Sequence, residues 1–150
     1  MWIEAYNRPF QLFTDSRSRI FQYKFLNNIL VNNFWLKKWG IQENSICTFC
    51  KQETETQVHI FWDCSVVTHF WSEIQCWLKS KNLNATLSKV IIFYGSSEEV
   101  ELVNILVILA KQFIQFIRST CKASNLNKLA FEKFFKQFLN MTSCNLQNLG

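Results

Sequence analysis

Two cysteines stand two residues apart in Cys47-Thr-Phe-Cys50; His59 follows after eight more residues, and Cys64 after a further four. Zinc takes such soft and borderline ligands in a tetrahedron, and a Cys-x2-Cys pair clasps one ion from a single tight turn. The spacing predicts one Zn2+ held by Cys47, Cys50, His59 and Cys64. Three thiolates and an imidazole fill the tetrahedron and leave no position for an activated water. The expected metal is therefore a folding clip rather than a Lewis acid. Helix geometry adds a condition. His59 and Cys64 lie five residues apart, about 140° around an ideal helix, so both reach one ion only if the helix ends or distorts before Cys64. His69 repeats the offset from Cys64 and is the rival ligand, though it is expected near a helix surface. The plainer alternative is buried thiols beside an incidental histidine. Cys76, Cys121 and Cys144 are isolated and read as buried or free thiols.

The rest of the chain favours helices. Half of its 150 residues are hydrophobic, and three Gly and one Pro are too few for the turns of a many-stranded sandwich or barrel. The expected fold class is mainly α: a helical domain with a small Cys3His zinc-stapled loop and at most one short strand. The expected organisation is a zinc-binding region over 1–82 and a helical segment over 83–150 packed on it. No basic-then-apolar leader is visible, and the apolar run from Leu102 to Ala110 is shorter than the roughly 20 residues that span a bilayer. The expectation is an intracellular protein (nucleus or cytoplasm) with no membrane partner. In a reducing compartment, cysteines serve as metal ligands or thiols more often than as disulfides.

Thr14, Asp15 and Ser16 offer N-caps for a helix from Arg17 to Leu30, with Phe21, Phe25 and Ile29 on one face. A short helix from Asn33 to Trp39 should stop at Gly40. Thr54 or Glu55 opens a turn through His59, and Val66 to Lys79 reads as an amphipathic helix using Val67, Phe70, Trp71, Ile74, Trp77 and Leu78. Val90 to Tyr94 leans toward a strand. Ser97, ahead of Glu98 and Glu99, caps a helix running to about Lys122. A last helix spans about Leu126 to Leu139.

Several of these pieces resemble the zinc-binding region that lies C-terminal to the polymerase in LINE-type (non-LTR) retrotransposon reverse transcriptases. The matching residues are Phe21-Gln-Tyr-Lys24, Cys47-Thr-Phe-Cys50, Glu55-Thr56, His59-Ile-Phe-Trp-Asp-Cys64 and Phe70-Trp71. Ala110-Lys-Gln-Phe-Ile114 and Cys121-Lys122 resemble the helix that follows. The resemblance implies the same four ligands and a role in gripping template RNA or target DNA during target-primed reverse transcription. It does not supply the chemistry of such an enzyme. A polymerase of this family needs Phe/Tyr-x-Asp-Asp to hold two metals, and this chain has only Asp15 and Asp63. The expectation is a non-catalytic module, or the severed or decayed end of such an element.

Charge points the same way. Residues 1–42 hold six Lys/Arg against two acids and residues 102–150 hold six against one, whereas the middle is acidic. Basic ends suit a polyanion. Glu43, Glu53, Glu55 and Asp63 make the zinc loop a poor phosphate surface. Lys111, Gln115, Arg118 and Lys122 share a helical face and form a candidate phosphate-binding stripe. Lys128, Glu132, Lys136 and Asn140 suggest a second stripe, with Lys133 beside it, and Arg17, Lys24, Lys37 and Lys38 a basic patch. The plainer reading of each is a solvated helix face. Phe49 and Trp62 flank ligands and either shield the metal or stack on bases. Phe131, Phe134, Phe135 and Phe138 read as core. A competing function is a zinc-stapled module that docks on protein, for example on a polymerase core. A deaminase is disfavoured because His-x-Glu and Pro-Cys-x-x-Cys are missing.

Overall fold

The computed structural model describes residues 2–96 and 101–120, together with residues 133, 135, 136 and 140. Every regular element among them is helical: α1 (Trp2–Leu12), α2 (Ser16–Leu26), α3 (Asn33–Lys38), a π-helical turn (His59–Asp63), α4 (Ser65–Ser80), α5 (Lys89–Tyr94) and α6 (Glu101–Thr120). Among the described residues, extended pairing is limited to one antiparallel bridge, Ile46 to Thr54.

Local chemistry sets most boundaries. Asp15 caps α2 by accepting from the Ser18 amide. The helix ends at Leu26 rather than Leu30, because Asn28 takes a left-handed conformation (φ 54°) and the Ile29 amide returns to the Lys24 carbonyl. Asparagine is one of the few residues that adopts this conformation at low cost. Ile29 is consequently exposed, while Phe25 stays buried. Asn32 caps α3 through the Trp35 amide. At its other end Gly40 (φ 72°) lets the Gly40 and Ile41 amides fold back onto Lys37 and Leu36.

The strand-leaning stretch at Val90–Tyr94 is instead helix α5. Ser88 caps it by accepting from the Ile91 amide, and among the described residues no neighbouring strand is available to pair a β segment. Ile92 and Phe93 reach the core from a single helical turn, so burial rather than β-propensity decides. Gly95 closes α5 with φ 73°, and an added Cβ there would meet the Arg8 guanidinium and Asn104 Oδ1.

One hydrophobic core runs from Phe25 on α2 through Cys47, Phe61 and Cys64 to Phe70, Trp71 and Ile74 on α4, and to Val103, Phe113 and Ile117 on α6. Phe25 meets Phe61 and Phe93 edge-on, with both ring centroids 5.0 Å away. Trp77, expected on the apolar face of α4, is 44 % exposed. α6 is buried on almost every side, against α2, α5 and the π turn. By length and composition its 20 residues are sufficient to cross a membrane, yet most of it is enclosed by the protein. A helix that is apolar nearly all round is what the centre of a core requires.

The expected cap at Ser97 and most of the helix expected over 126–139 fall outside the described residues. Phe135 is described and is core: its ring stands edge-on to Phe70, at 4.8 Å between centroids.

Candidate metal centre

Cys47 and Cys50 lie in a tight knuckle. The Cys47 amide donates to the Glu53 carbonyl at 2.7 Å, and the Lys51 amide to the Cys47 carbonyl at 3.1 Å. The bridge between Ile46 and Thr54 closes its base. Lys51, just after the second cysteine, sits at φ 58°, a conformation that costs a side chain about 1–2 kcal/mol.

His59 and Cys64 meet the helix condition by distortion. Residues 59–63 form a π turn in which the Cys64 amide donates to the His59 carbonyl, five residues back, at 2.8 Å. The wider turn returns Cys64 to the side of His59, which an α-helix would not do. The turn is tied down at both ends. Thr56 Oγ1 accepts from the His59 amide at 3.1 Å, and Trp71 Nε1 donates to the Phe61 carbonyl at 2.8 Å.

The four ligand atoms all lie within 4.8 Å of one another. Cys47 Sγ and Cys64 Sγ are 3.9 Å apart, and Cys50 Sγ is 3.4 Å from His59 Nε2. The edges of a tetrahedral zinc site are about 3.8 Å for S to S and about 3.6 Å for S to N, from ordinary zinc–ligand lengths. The residues present therefore fit the ion and make one structural zinc site. Cys47 and Cys64 are fully buried and His59 is nearly so. His69, the rival ligand, is turned away on α4, where Nε2 faces Glu73 Oε1 at 3.6 Å.

The two buried sulfurs behave as one unit. The contact with Cys47 draws the Cys64 thiol down to about 5, aided by the Val67 and Val66 amides of α4 and opposed by burial. The same contact, with burial, pushes Cys47 up. The metal-free pair thus shares one proton between two sulfurs, and a cation displaces it. On the outer edge of the imidazole, Glu53 Oε2 lies 3.4 Å from Nδ1. The contact falls short of an aligned hydrogen bond, and with Nδ1 on this outer edge Nε2 is the metal-facing nitrogen.

Glu55 is the residue that sequence reading misplaced most. It counts among the acids that make the zinc loop a poor phosphate surface, yet it is fully buried. Its Oε2 accepts from the Thr48 amide inside the knuckle at 2.6 Å, and its Oε1 accepts from the Asn33 amide at 2.8 Å and from Arg118 Nε at 2.5 Å. Asn33 adds bonds to the Ile46 carbonyl (2.7 Å) and from Arg118 Nη2 (2.8 Å). No local pattern marks this network, because Arg118 comes 63 residues later in the chain.

The Lys111–Arg118 stripe is accordingly corrected. Lys111 is 1 % exposed, with Nζ 2.8 Å from Gln22 Oε1 and 3.9 Å from the centroid of the Phe25 ring. Arg118 is committed to Glu55 and Asn33. A one-sided amphipathic helix would have exposed both, but α6 is covered by α2 and the zinc region on that side as well. Lys122 lies outside the described residues. Arg17, Lys24, Lys37 and Lys38 are exposed. Phe49 is buried and Trp62 partly so, which fits shielding of the metal.

Residues 6–71 match the family model described as zinc-binding in reverse transcriptase, a stretch that includes all four ligands. By that match the stretch is similar to the zinc-binding regions associated with reverse transcriptases. No match was found among curated proteins or solved structures.

Proposed function

We propose that this chain is a non-catalytic accessory module of a LINE-type reverse transcriptase, which holds template RNA or target DNA by its phosphates. The observation that carries this reading is the coincidence of a closed Cys3His centre with the reverse-transcriptase zinc-binding match over the same residues. A filled tetrahedron offers stability rather than chemistry, so the module acts by binding. With Lys111 buried and Arg118 committed to Glu55 and Asn33, the phosphate contacts fall to Arg17, Lys24, Lys37 and Lys38, all exposed. Such a module works inside the cell, beside the polymerase core it serves.

The test is binding of the zinc-loaded chain to RNA and DNA oligonucleotides across a salt series. The reading expects affinity to fall steeply with salt, and the slope to drop by about one for each of these residues changed to Gln. Absence of nucleic-acid binding at low salt would refute it.

A second reading is docking on the polymerase core. Trp2, Ile3, Phe10, Ile20 and Tyr23 on α1 and α2 are all at least half exposed, which favours a protein partner for that face. Salt-insensitive association with a polymerase fragment, without nucleic acid, would select it.

A further inference from the structure

Helix α3 presents an aromatic ladder flanked by lysines that neither the zinc site nor the core uses. Trp35 and Trp39, one turn apart, have ring centroids 5.9 Å apart and planes only 20° from parallel. Phe34 stands edge-on to Trp35 at 5.3 Å. Lys38 Nζ sits 5.0 Å from the Trp35 ring centroid, and Lys37 lies beside it. The rings are not hidden: Trp39 is 53 % exposed and Phe34 40 %. Just beyond them, no heavy atom comes within 4 Å of where a Cβ of Gly40 would stand, so the end of the helix is open. α3 itself carries no acidic residue.

The geometry points to α3 as a stacking platform for unpaired bases of single-stranded RNA or DNA, with Trp39 and Phe34 as the ring surfaces and Lys37 and Lys38 on the adjoining phosphates. The inference deepens the nucleic-acid reading above and rests on it. Every base has a π face, so open aromatic rings bind single strands without regard to sequence, and cations beside the rings track the backbone. A duplex keeps its bases stacked and gains only the lysines. Charge also separates this occupant from an apolar protein surface, which would have to desolvate two ammonium groups to cover the rings. The ladder is held by structure rather than chance. Asn32 caps the helix, and the Asn33 and Phe34 amides are both anchored on Glu55, so α3 is fixed to the zinc knuckle.

The experiment uses the full zinc-loaded chain with fluorescein-labelled oligo-dT, oligo-U and a mixed-sequence DNA duplex. Trp39→Ala is expected to weaken single-strand binding about tenfold and leave the duplex nearly unchanged, whereas Trp39→Phe keeps most of the affinity. Lys37→Gln with Lys38→Gln should lower the salt slope for both kinds of strand. Ultraviolet crosslinking to oligo-U should place the adduct on the peptide that contains α3. Zinc content and circular dichroism confirm that each variant is folded; if Trp39→Ala is not, the crosslink position in the parent chain decides. Equal single-strand affinity of parent and folded Trp39→Ala, or a crosslink elsewhere, overturns the platform while leaving nucleic-acid binding intact. A parent chain that binds no strand at all removes the underlying reading as well.

Discussion

Arg118 near the end of α6 donates to buried Glu55 at 2.5 Å, and the same carboxylate caps the Thr48 amide between the first two zinc ligands. The central helix and the metal knuckle therefore share one anion. Removing one member of a buried pair leaves the other charged and unsolvated, at a cost of about 3–5 kcal/mol. Arg118→Met should lower stability by that order in denaturant titrations of the zinc-loaded chain, and so should Glu55→Gln, whose single amide oxygen can replace only one of the two acceptor positions and whose NH2 then faces a backbone donor. The double substitution should cost less than the sum of the singles. Additive losses would mean that the pair is not coupled.

Lys111 gives a pH signature. Burial, with the Arg8 cation nearby, holds its ammonium well below the ordinary 10.5. Between that lowered value and 10.5 the unfolded chain binds a proton that the folded chain resists. Stability therefore rises as pH climbs through this window and falls as pH drops through it. Lys111→Met removes this dependence. The variant should be more stable than the parent at neutral pH by about 1 kcal/mol or more, with the gap closing toward pH 10. Unfolding curves collected across that range, showing a constant gap or a less stable variant, would place the charge in a better-solvated site.

The Glu53 side chain is exposed and meets the outer edge of the His59 ring, so changing that side chain should spare the fold. Outer partners of metal-bound histidines fix ring orientation and are worth about 10–100-fold in metal affinity. Glu53→Gln should weaken zinc at the lower end of that range in a competition with a chelator. His69→Ala, remote from the centre, should change nothing. The reverse pattern would mean that the wrong histidine had been assigned.

How far the sequence could be read follows from what each feature depends on. The ligand set was legible because Cys-x2-Cys, His59 and Cys64 lie within 18 residues, and the need for a distorted helix before Cys64 followed from helix pitch alone. The π turn at His59–Asp63 is that distortion. The stop at Gly40 and the cap at Asp15 are equally local. Asn28, which ends α2 early, is a residue type that tolerates a left-handed conformation, but the periodicity of Phe21, Phe25 and Ile29 runs straight past it. Val90–Tyr94 looked like a strand because β-branched residues suit one, yet Ser88 capped it as a helix. Lys111 and Arg118 misled for a different reason. Period places residues on a face of α6, but only tertiary packing says that this face meets Gln22, Phe25 and Glu55 rather than water.

All of these expectations depend on a metal joining the knuckle to the π turn, and native mass spectrometry of the chain with single substitutions addresses that directly. The parent should carry one zinc ion. Ser in place of Cys47, Cys50 or Cys64, and Ala in place of His59, should each abolish or sharply weaken its retention, while Cys76→Ser and His69→Ala retain it fully. A metal-free parent chain that is folded, or one whose zinc survives loss of Cys64, would contradict the account.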